Sequence, residues 1–371
     1  MVSRLTAFVI TLLACAAPAQ AQLPQTRVYA LFPPGAQAGT ASDVTVTSGA
    51  DLEELSKLLF NHPGITAVQK LQDQAGKQVP VNNTFTVNVA ADVPPGVYEV
   101  RGVGLYGISN PRVFTVGNRK EVPETEPNNS AEQATPLELN VTVNGKINGA
   151  TDVDQFKLTL TQGQRLLVDC FAKRIDSKLD ASLELYDMNG RRLASARNNL
   201  LRDPLLDVTV PANGTYLLKL TDFVYAGGED FIYRLTAHTG SHVDYVWPPA
   251  AVPGSTAAYT LFGRNLPGGE PSGVVLNGRP LDKLGVNIAA PADNTQLDAR
   301  VPAEPSAAGI DGFTYTFAGA NGMAAPVLMT FANVPVVGEL EPNNIAAQSQ
   351  KITVPGEFAG QFQAKGDVDL L

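Results

Sequence analysis

The stretch ETEPNNSAEQ, Glu124 to Gln133, returns as ELEPNNIAAQ at Glu339 to Gln348, and the spacing between the two divides the chain. Glu339, Asn344 and Asp369 each lie 215 residues after Glu124, Asn129 and Asp154. Upstream, the same 215 relates VYALFPPGAQAG from Val28 to VDYVWPPAAVPG from Val243, and Gly104, Gly107 and Pro111 to Gly319, Gly322 and Pro326. One offset shared by widely spaced anchors marks a duplicated unit. The second copy reaches only the Asp-Val-Asp at 367–369 before the sequence ends at Leu371, so the closing part is expected to be the opening of a unit. A piece of that size buries too little surface to fold alone and is expected to be loosely held unless it borrows a neighbour.

Between the anchors the pattern is that of strands. In DQFKLTL, Phe156, Leu158 and Leu160 alternate with Gln155, Lys157 and Thr159, which gives one apolar and one wet face. ASLELYD runs into Asn189-Gly190, and LLDVTV into Asn213-Gly214 before TYLLKLTD, both strong hairpin signals. DVTVTSG, TFTVNVA, GVYEVRGVG and RVFTVG read the same way earlier in the chain. Short strands punctuated by Gly and Pro predict an all-β protein of tandem β-sandwiches. One helix is expected, ADLEELSKLLF at 50–60, where Leu52, Leu55, Leu58 and Leu59 recur at helical spacing.

With 371 residues there is room for two to four domains. Arg4, the apolar run Leu5–Ala17 and the Ala19-Gln20-Ala21 site stand in the order of a secretory leader over 1–21, and no later run suits a spanning helix. LLAC ending at Cys15 is an alternative processing box of the lipoprotein kind, so lipid anchoring at Cys15 is the lesser reading beside secretion. Without the leader only Cys170 remains, in RLLVDCFA, where alternation predicts a buried and inert thiol. A net charge of −9 disfavours nucleic acid and anionic membrane surfaces as partners.

The acidic residues of the repeated string carry the main chemical signal. In extended backbone, residues two apart share a side, so Glu124 with Glu126 and Asp152 with Asp154 each present two carboxylates together. If the Glu-Pro-Asn-Asn strap meets the Asp-Val-Asp strand, four carboxylates and asparagine oxygens converge, a set of hard donors suited to Ca²⁺. The alternative is that the acids face water separately while Pro127 and the asparagines shape a turn into the domain.

Taken together, ETEPNNSAEQAT, GKINGATDVDQFKLTL, LELYDMNGRRLAS and NGTYLLKLTD resemble the bacterial pre-peptidase C-terminal domain, a jelly-roll-like β-sandwich found near the ends of secreted hydrolases. The resemblance covers 121–240, and 337–371 resembles its opening. Less specifically, 22–120 and 241–336 resemble immunoglobulin-like modules of the TIG type through GLYGISNPRVFTV and LFPPG. By similarity to related collagen-binding domains, calcium is implied at Glu124, Glu126, Asn128, Asn129, Asp152 and Asp154, and again at Glu339, Glu341, Asn343, Asn344, Asp367 and Asp369. The resemblance implies a secreted, non-catalytic binding or scaffolding protein of the bacterial cell surface, with an extracellular protein or polysaccharide as ligand. The alternative is the accessory region of a secreted peptidase or other hydrolase whose catalytic domain lies outside this sequence.

No catalytic constellation is evident in the residues. The histidines are His62, His238 and His242, and neither a His-Glu-x-x-His, a Gly-x-Ser-x-Gly nor a phosphate loop occurs. His62 in NHPG is expected to face solvent, and HTGSHVD, with His238 and His242, reads as a linker. Tyr225 and Trp247 are candidate contact residues, though alternation in FIYRL and the equivalence of Trp247 to Phe32 favour packing for most aromatics. YAGGED, 225–230, is the best candidate for an exposed functional loop.

Overall fold

The computed structural model describes residues 23–198, 203–292, 311–319, 322–362 and 366–371, so the expected leader and Cys15 lie outside the described residues. The protein is all-β: apart from the one-turn 3₁₀ helices Lys173–Ile175 and Ala346–Gln348, every regular element described is a strand. None of the described helices is long and apolar enough to cross a membrane.

The centre of the chain is a sandwich of two five-stranded sheets. One runs in the order Glu121–Pro123, Val141–Lys146, Ile232–His238, Arg165–Phe171, Leu205–Thr209. The other runs Thr135–Pro136, Asp154–Leu160, Gly214–Asp222, Ala181–Asp187, Arg192–Arg197. Period-two alternation fills the space between them: Phe156, Leu158 and Leu160, with Leu183 and Leu218 of the same sheet, and Leu166, Val168 and Leu235 of the other form one continuous core. Each such side chain contributes about 1.5–3 kcal/mol on burial. Cys170 lies fully buried in that core, where desolvation raises its thiol pKa well above the ordinary value.

Before it stands a two-sheet unit. Its sheets run Arg27–Phe32, Ala41–Ala50, Lys77–Val89, Ile65–Gln74 and Gly35–Gln37, Arg112–Gly117, Gly96–Gly104, Lys57–Phe60. The helix expected over 50–60 is absent. Asp51 and Glu54 take left-handed backbone (φ 51° each), which breaks helical continuity, and Lys57–Phe60 joins the second sheet by pairing with Gly96–Gly104. Leu55 and Leu58 point into the core while Leu59 points out.

After the sandwich, His242–Trp247 and Thr256–Arg264 repeat Arg27–Phe32 and Ala41–Ala50 at the 215 offset, but the pairing then diverges. In the first unit Ala41–Ala50 pairs with Lys77–Val89; in the third, Thr256–Arg264 pairs with Arg279–Ala289, the equivalent of Ile65–Gln74. Glu270–Leu276 consequently lies at the edge of this sheet, whereas its equivalent Lys57–Phe60 belongs to the opposite one.

The joints between units are closely packed. Ala30 and Val113 of the first unit meet Ile175 and Ile232 of the sandwich in a small apolar cluster, and the Val113 N–H donates to Asp176 Oδ2 at 3.0 Å. At the other end, Asp207 of the sandwich accepts a hydrogen bond from Arg165 at 2.8 Å and forms an ion pair with Arg264 of the third unit at 2.9 Å. His238 and His242 belong to this second joint. They end one strand and open the next, and both are buried, contrary to the linker expectation. His62 is half-buried, edge-on to Tyr98 at 5.3 Å, with Nδ1 accepting the Gly64 N–H, so it does not simply face solvent.

Burial holds His238 at about 4 and His242 at about 3, below the ordinary 6.5, with the nearby cations Arg119 and Arg264 adding to the respective shifts. Both imidazoles are therefore neutral across the working range. A base with a depressed folded pKa gives stability that is present above pH 6.5 and lost as pH falls toward the folded value, about 2 kcal/mol per histidine by pH 5. The imidazole carbon-bound proton resonances of His238 and His242 are expected to hold their neutral positions from pH 8 to about pH 5. Titration of either near pH 6.5 in the folded protein would contradict the buried joint.

Candidate metal site

The strap Glu121–Asn129 is fixed to the sandwich before any acid is placed. Glu121–Pro123 pairs in parallel with Val141–Lys146, and the Glu124 N–H continues the ladder by donating to Asn144 O at 2.9 Å. Glu124 then lies against Gly145, where a Cβ would come within 2.1 Å of Tyr233 Cζ and 2.5 Å of Glu124 Oε2. Only glycine leaves room for that approach. The Glu124 carboxylate accepts the Tyr233 hydroxyl at 2.6 Å and the Lys146 N–H at 2.7 Å. Glu126 accepts the Asn128 N–H at 2.8 Å and Asn148 Nδ2 at 2.7 Å. Asp154, first residue of its strand, is fully buried beside them.

Glu124, Glu126 and Asp154 thus present carboxylate oxygens within 4.8 Å of one another. Asp152 stands outside this trio: its carboxylate accepts the Asn148 N–H at 2.6 Å and the Val153 N–H at 3.0 Å. Thr151, left-handed at φ 69°, turns that loop away from the extended path on which Asp152 and Asp154 would share a side. Asn129 Oδ1 accepts the Val153 N–H at 3.1 Å, and the buried Asn128 accepts the Gln155 N–H through its carbonyl at 3.1 Å. The asparagines therefore lace strap to strand, and the three acids fill the space between.

Without a cation the trio is electrostatically costly. Burial, opposed by the Tyr233 and Lys146 hydrogen bonds and reinforced by Glu126, raises Glu124 to about 7. Burial and then the Glu124 charge raise Asp154 to about 9. The same surroundings hold the Tyr233 phenol well above its ordinary range, so it remains a donor.

The geometry recurs at the 215 offset. Glu339, Glu341 and Asp369 form a second group within 4.8 Å. The Glu339 N–H donates to Ala359 O, the Gln361 N–H to Glu339 Oε2, the Asn343 N–H to Glu341 Oε2 and the Val368 N–H to Asn344 Oδ1, each the counterpart of a bond in the first strap. Asp367, like Asp152, is not part of its trio. Here Asn343 is fully buried and its Oδ1 has no hydrogen-bond partner, and Asp369 is raised to about 6 by withdrawal from water and by Glu339. Two all-oxygen sets, each crowded with negative charge, fit a hard divalent cation such as calcium.

Tyr233, Asn148 and Gly145 were not foreseen from the sequence. Tyr233 lies 109 residues from Glu124, and its alternation marks it only as inward-facing. The Asn-Gly pairs at 144–145 and 148–149 mark turns or close approaches without naming what approaches. The YAGGED loop borders the site: the Thr151 N–H donates to Tyr225 O at 3.0 Å, and Phe223, Val224 and Tyr225 are exposed on a turn capped by Asp222 Oδ1. Trp247 is half-buried on the third unit.

No family model matches the chain. No curated protein matches it either. Among solved structures it is similar to the pre-peptidase C-terminal domain of collagenase from Bacillus anthracis, with 16% identity over 31% of this chain and 99% of that one and a TM-score of 0.24. It is similar also to PliG, a periplasmic inhibitor of g-type lysozyme from Aeromonas hydrophila, with 17% identity over 32% of this chain and 94% of that one and a TM-score of 0.22. A third similarity is to SGBP-B of the Bacteroides ovatus mixed-linkage glucan utilization locus, with 10% identity over 58% of this chain and 74% of that one and a TM-score of 0.20.

Proposed function

We propose that this is a secreted, non-catalytic multidomain binding or scaffolding protein of the bacterial cell surface whose sandwiches of the pre-peptidase type are fastened by calcium. The domain plan is a leader over 1–21, immunoglobulin-like units at 22–120 and 241–336, a pre-peptidase-type sandwich at 121–240 and the opening of a second at 337–371. Glu124, Glu126 and Asp154 hold the cation in the first copy, and Glu339, Glu341 and Asp369 in the second. The observation that carries this reading is the repetition of the carboxylate trio, together with the bonds that position it, at a separation of 215 residues. Calcium supplies the positive charge that lets all three carboxylates ionise. The residues themselves supply the link, since Glu124 and Glu126 belong to the strap and Asp154 to the core strand. An extracellular protein or polysaccharide is the ligand class suited to such an array, and the exposed Phe223–Tyr225 loop is the first surface to test.

Calorimetric titration of Ca²⁺ into the chain from residue 22 tests the reading. Two saturable sites are expected in the wild type, one in Glu126→Gln, one in Glu341→Gln and none in the double variant. Calcium at a hundred times its Kd is expected to add about 2.7 kcal/mol of stability per site. Absence of saturable heat together with an unchanged melting temperature would sink the proposal and leave the string as a turn into the domain.

A further inference from the structure

The joint between the first unit and the sandwich has a counterpart on the third unit that is still partly in water. On the first unit the covered face comprises Ala30 and Val113, each 3% exposed, with Phe32 and Val97, packed on Ile175 and Ile232. Thr47 Oγ1 joins it by donating to Glu229 O at 3.2 Å. The 215 offset carries Ala30 to Tyr245, Phe32 to Trp247, Thr47 to Phe262 and Val113 to Leu328. Tyr245 and Phe262 stack at 4.7 Å with their planes 9° apart, and all four side chains are only half-buried.

The segment leaving this unit repeats the opening of the sandwich without its closure. Val336–Gly338 pairs in parallel with Glu357–Ala359 as Glu121–Pro123 pairs with Val141–Lys146. Gln361 lies beside Tyr245, so the segment already reaches the face. Its apolar residues, however, lack the cover their equivalents enjoy: Ile352 is 42% exposed where Leu137 is 5%, and Phe362 is 77% exposed where Ile147 is fully buried. Clustered exposed apolar surface beside an established type of joint marks an interaction surface.

We infer that the Tyr245–Trp247–Phe262–Leu328 face is a docking surface for the body of a second sandwich of the 121–240 kind, one whose opening strands residues 336–371 supply. The inference rests on reading 337–371 as the start of such a sandwich. Covalent continuity favours this occupant over a separate chain, because a tethered sandwich in the same register meets the face at high effective concentration.

Trp247 is the chain's single tryptophan, so its fluorescence reports on this face alone. Two extended chains test the two layers separately. In the first, residues 157–240 follow Leu371, the equivalent of Phe156, and residues 336–371 must supply the opening strands. In the second, residues 121–240 follow Pro335, placing an intact sandwich on the same joint. Relative to the 371-residue chain, both are expected to show Trp247 emission at shorter wavelength and an acrylamide quenching constant lowered about twofold. Failure of the first alone, with no added unfolding transition, overturns the reading of 337–371. Unprotected Trp247 in the second overturns the docking surface, and so does a concentration-dependent dimer of the 371-residue chain in which Trp247 is already protected.

Discussion

Asp154→Asn is expected to raise the melting temperature of the calcium-free protein at pH 7 by several degrees and to abolish the further rise that calcium gives the wild type. Asp154 is fully buried, with the carboxylates of Glu124 and Glu126 within 4.8 Å. Burial and the Glu124 charge move its pKa from 3.8 to about 9. For an acid whose folded pKa is raised, the stability it contributes is fully present below the unfolded value and drains as pH rises toward the folded one. At pH 7 the metal-free fold therefore carries a penalty of about 2–4 kcal/mol at this position. Asparagine keeps the shape and removes the ionisable group, which relieves part of that penalty; in a sandwich of this size each kcal/mol is worth about 4 °C. The same change removes an anionic oxygen from the proposed cation site, so the expected calcium increment goes with it. Scanning calorimetry in EDTA and in calcium, wild type against variant, makes the comparison. A metal-free variant melting below the metal-free wild type would contradict the electrostatic account, and an undiminished calcium increment would remove Asp154 from the site.

Spacing pairs Glu124 with Glu126 and Asp152 with Asp154 but leaves open whether strap meets strand, and the structure brings Glu124, Glu126 and Asp154 together without Asp152. Spacing is read directly where a strand is regular, as for Phe156, Leu158 and Leu160. Legibility fails where geometry is set across the chain. Nothing near Glu124 in sequence announces Tyr233, and nothing near Tyr233 announces that Gly145 is vacant of side chain so that the two can touch. The leucines at 52, 55 and 58 fit a helix by spacing, but the left-handed Asp51 and Glu54 turn the segment into a strand entry. The different strand pairing of the first and third units is invisible for another reason. Arg279–Ala289 and its equivalent Ile65–Gln74 have patterns compatible with either sheet position, and neighbours decide which is taken. Gly240 and Ser241 suggest a linker, yet they make a tight turn whose ends carry His238 and His242 into a buried joint.

That joint yields the second large effect. Arg264→Ala is expected to destabilise the protein by about 3–5 kcal/mol at pH 8, since removing one member of a buried ion-pair group leaves its partners charged without compensation. Arg264 is 2% exposed; its Nε lies 2.9 Å from Asp207 Oδ2 and its Nη1 2.8 Å from Asp244 Oδ1. Asp207 would still have Arg165, at 2.8 Å. Asp244 would keep only the more distant charge of Arg165 and the contact with His242, at 3.9 Å, which burial keeps neutral. Even with the guanidinium present, burial raises Asp244 to about 6, so in the variant it rises further and the folded state takes up a proton that the unfolded chain releases above its ordinary 3.8. The loss is therefore greatest at pH 8 and shrinks toward pH 5, where Asp244 is protonated and no longer requires a countercharge. Asp244→Asn in the Arg264→Ala background recovers part of the stability at pH 8, whereas Arg264→Lys recovers little, because a single ammonium does not bridge two carboxylates as the planar guanidinium does. Urea unfolding at the two pH values, with limited proteolysis at the turn 239–241 as a report on the joint, reads all three variants. Arg264→Ala within about 1 kcal/mol of the wild type at pH 8 would place this ion-pair chain among those contributing little, and the rigidity of the joint would then rest on Asn265, whose Nδ2 reaches Arg165 O at 3.0 Å.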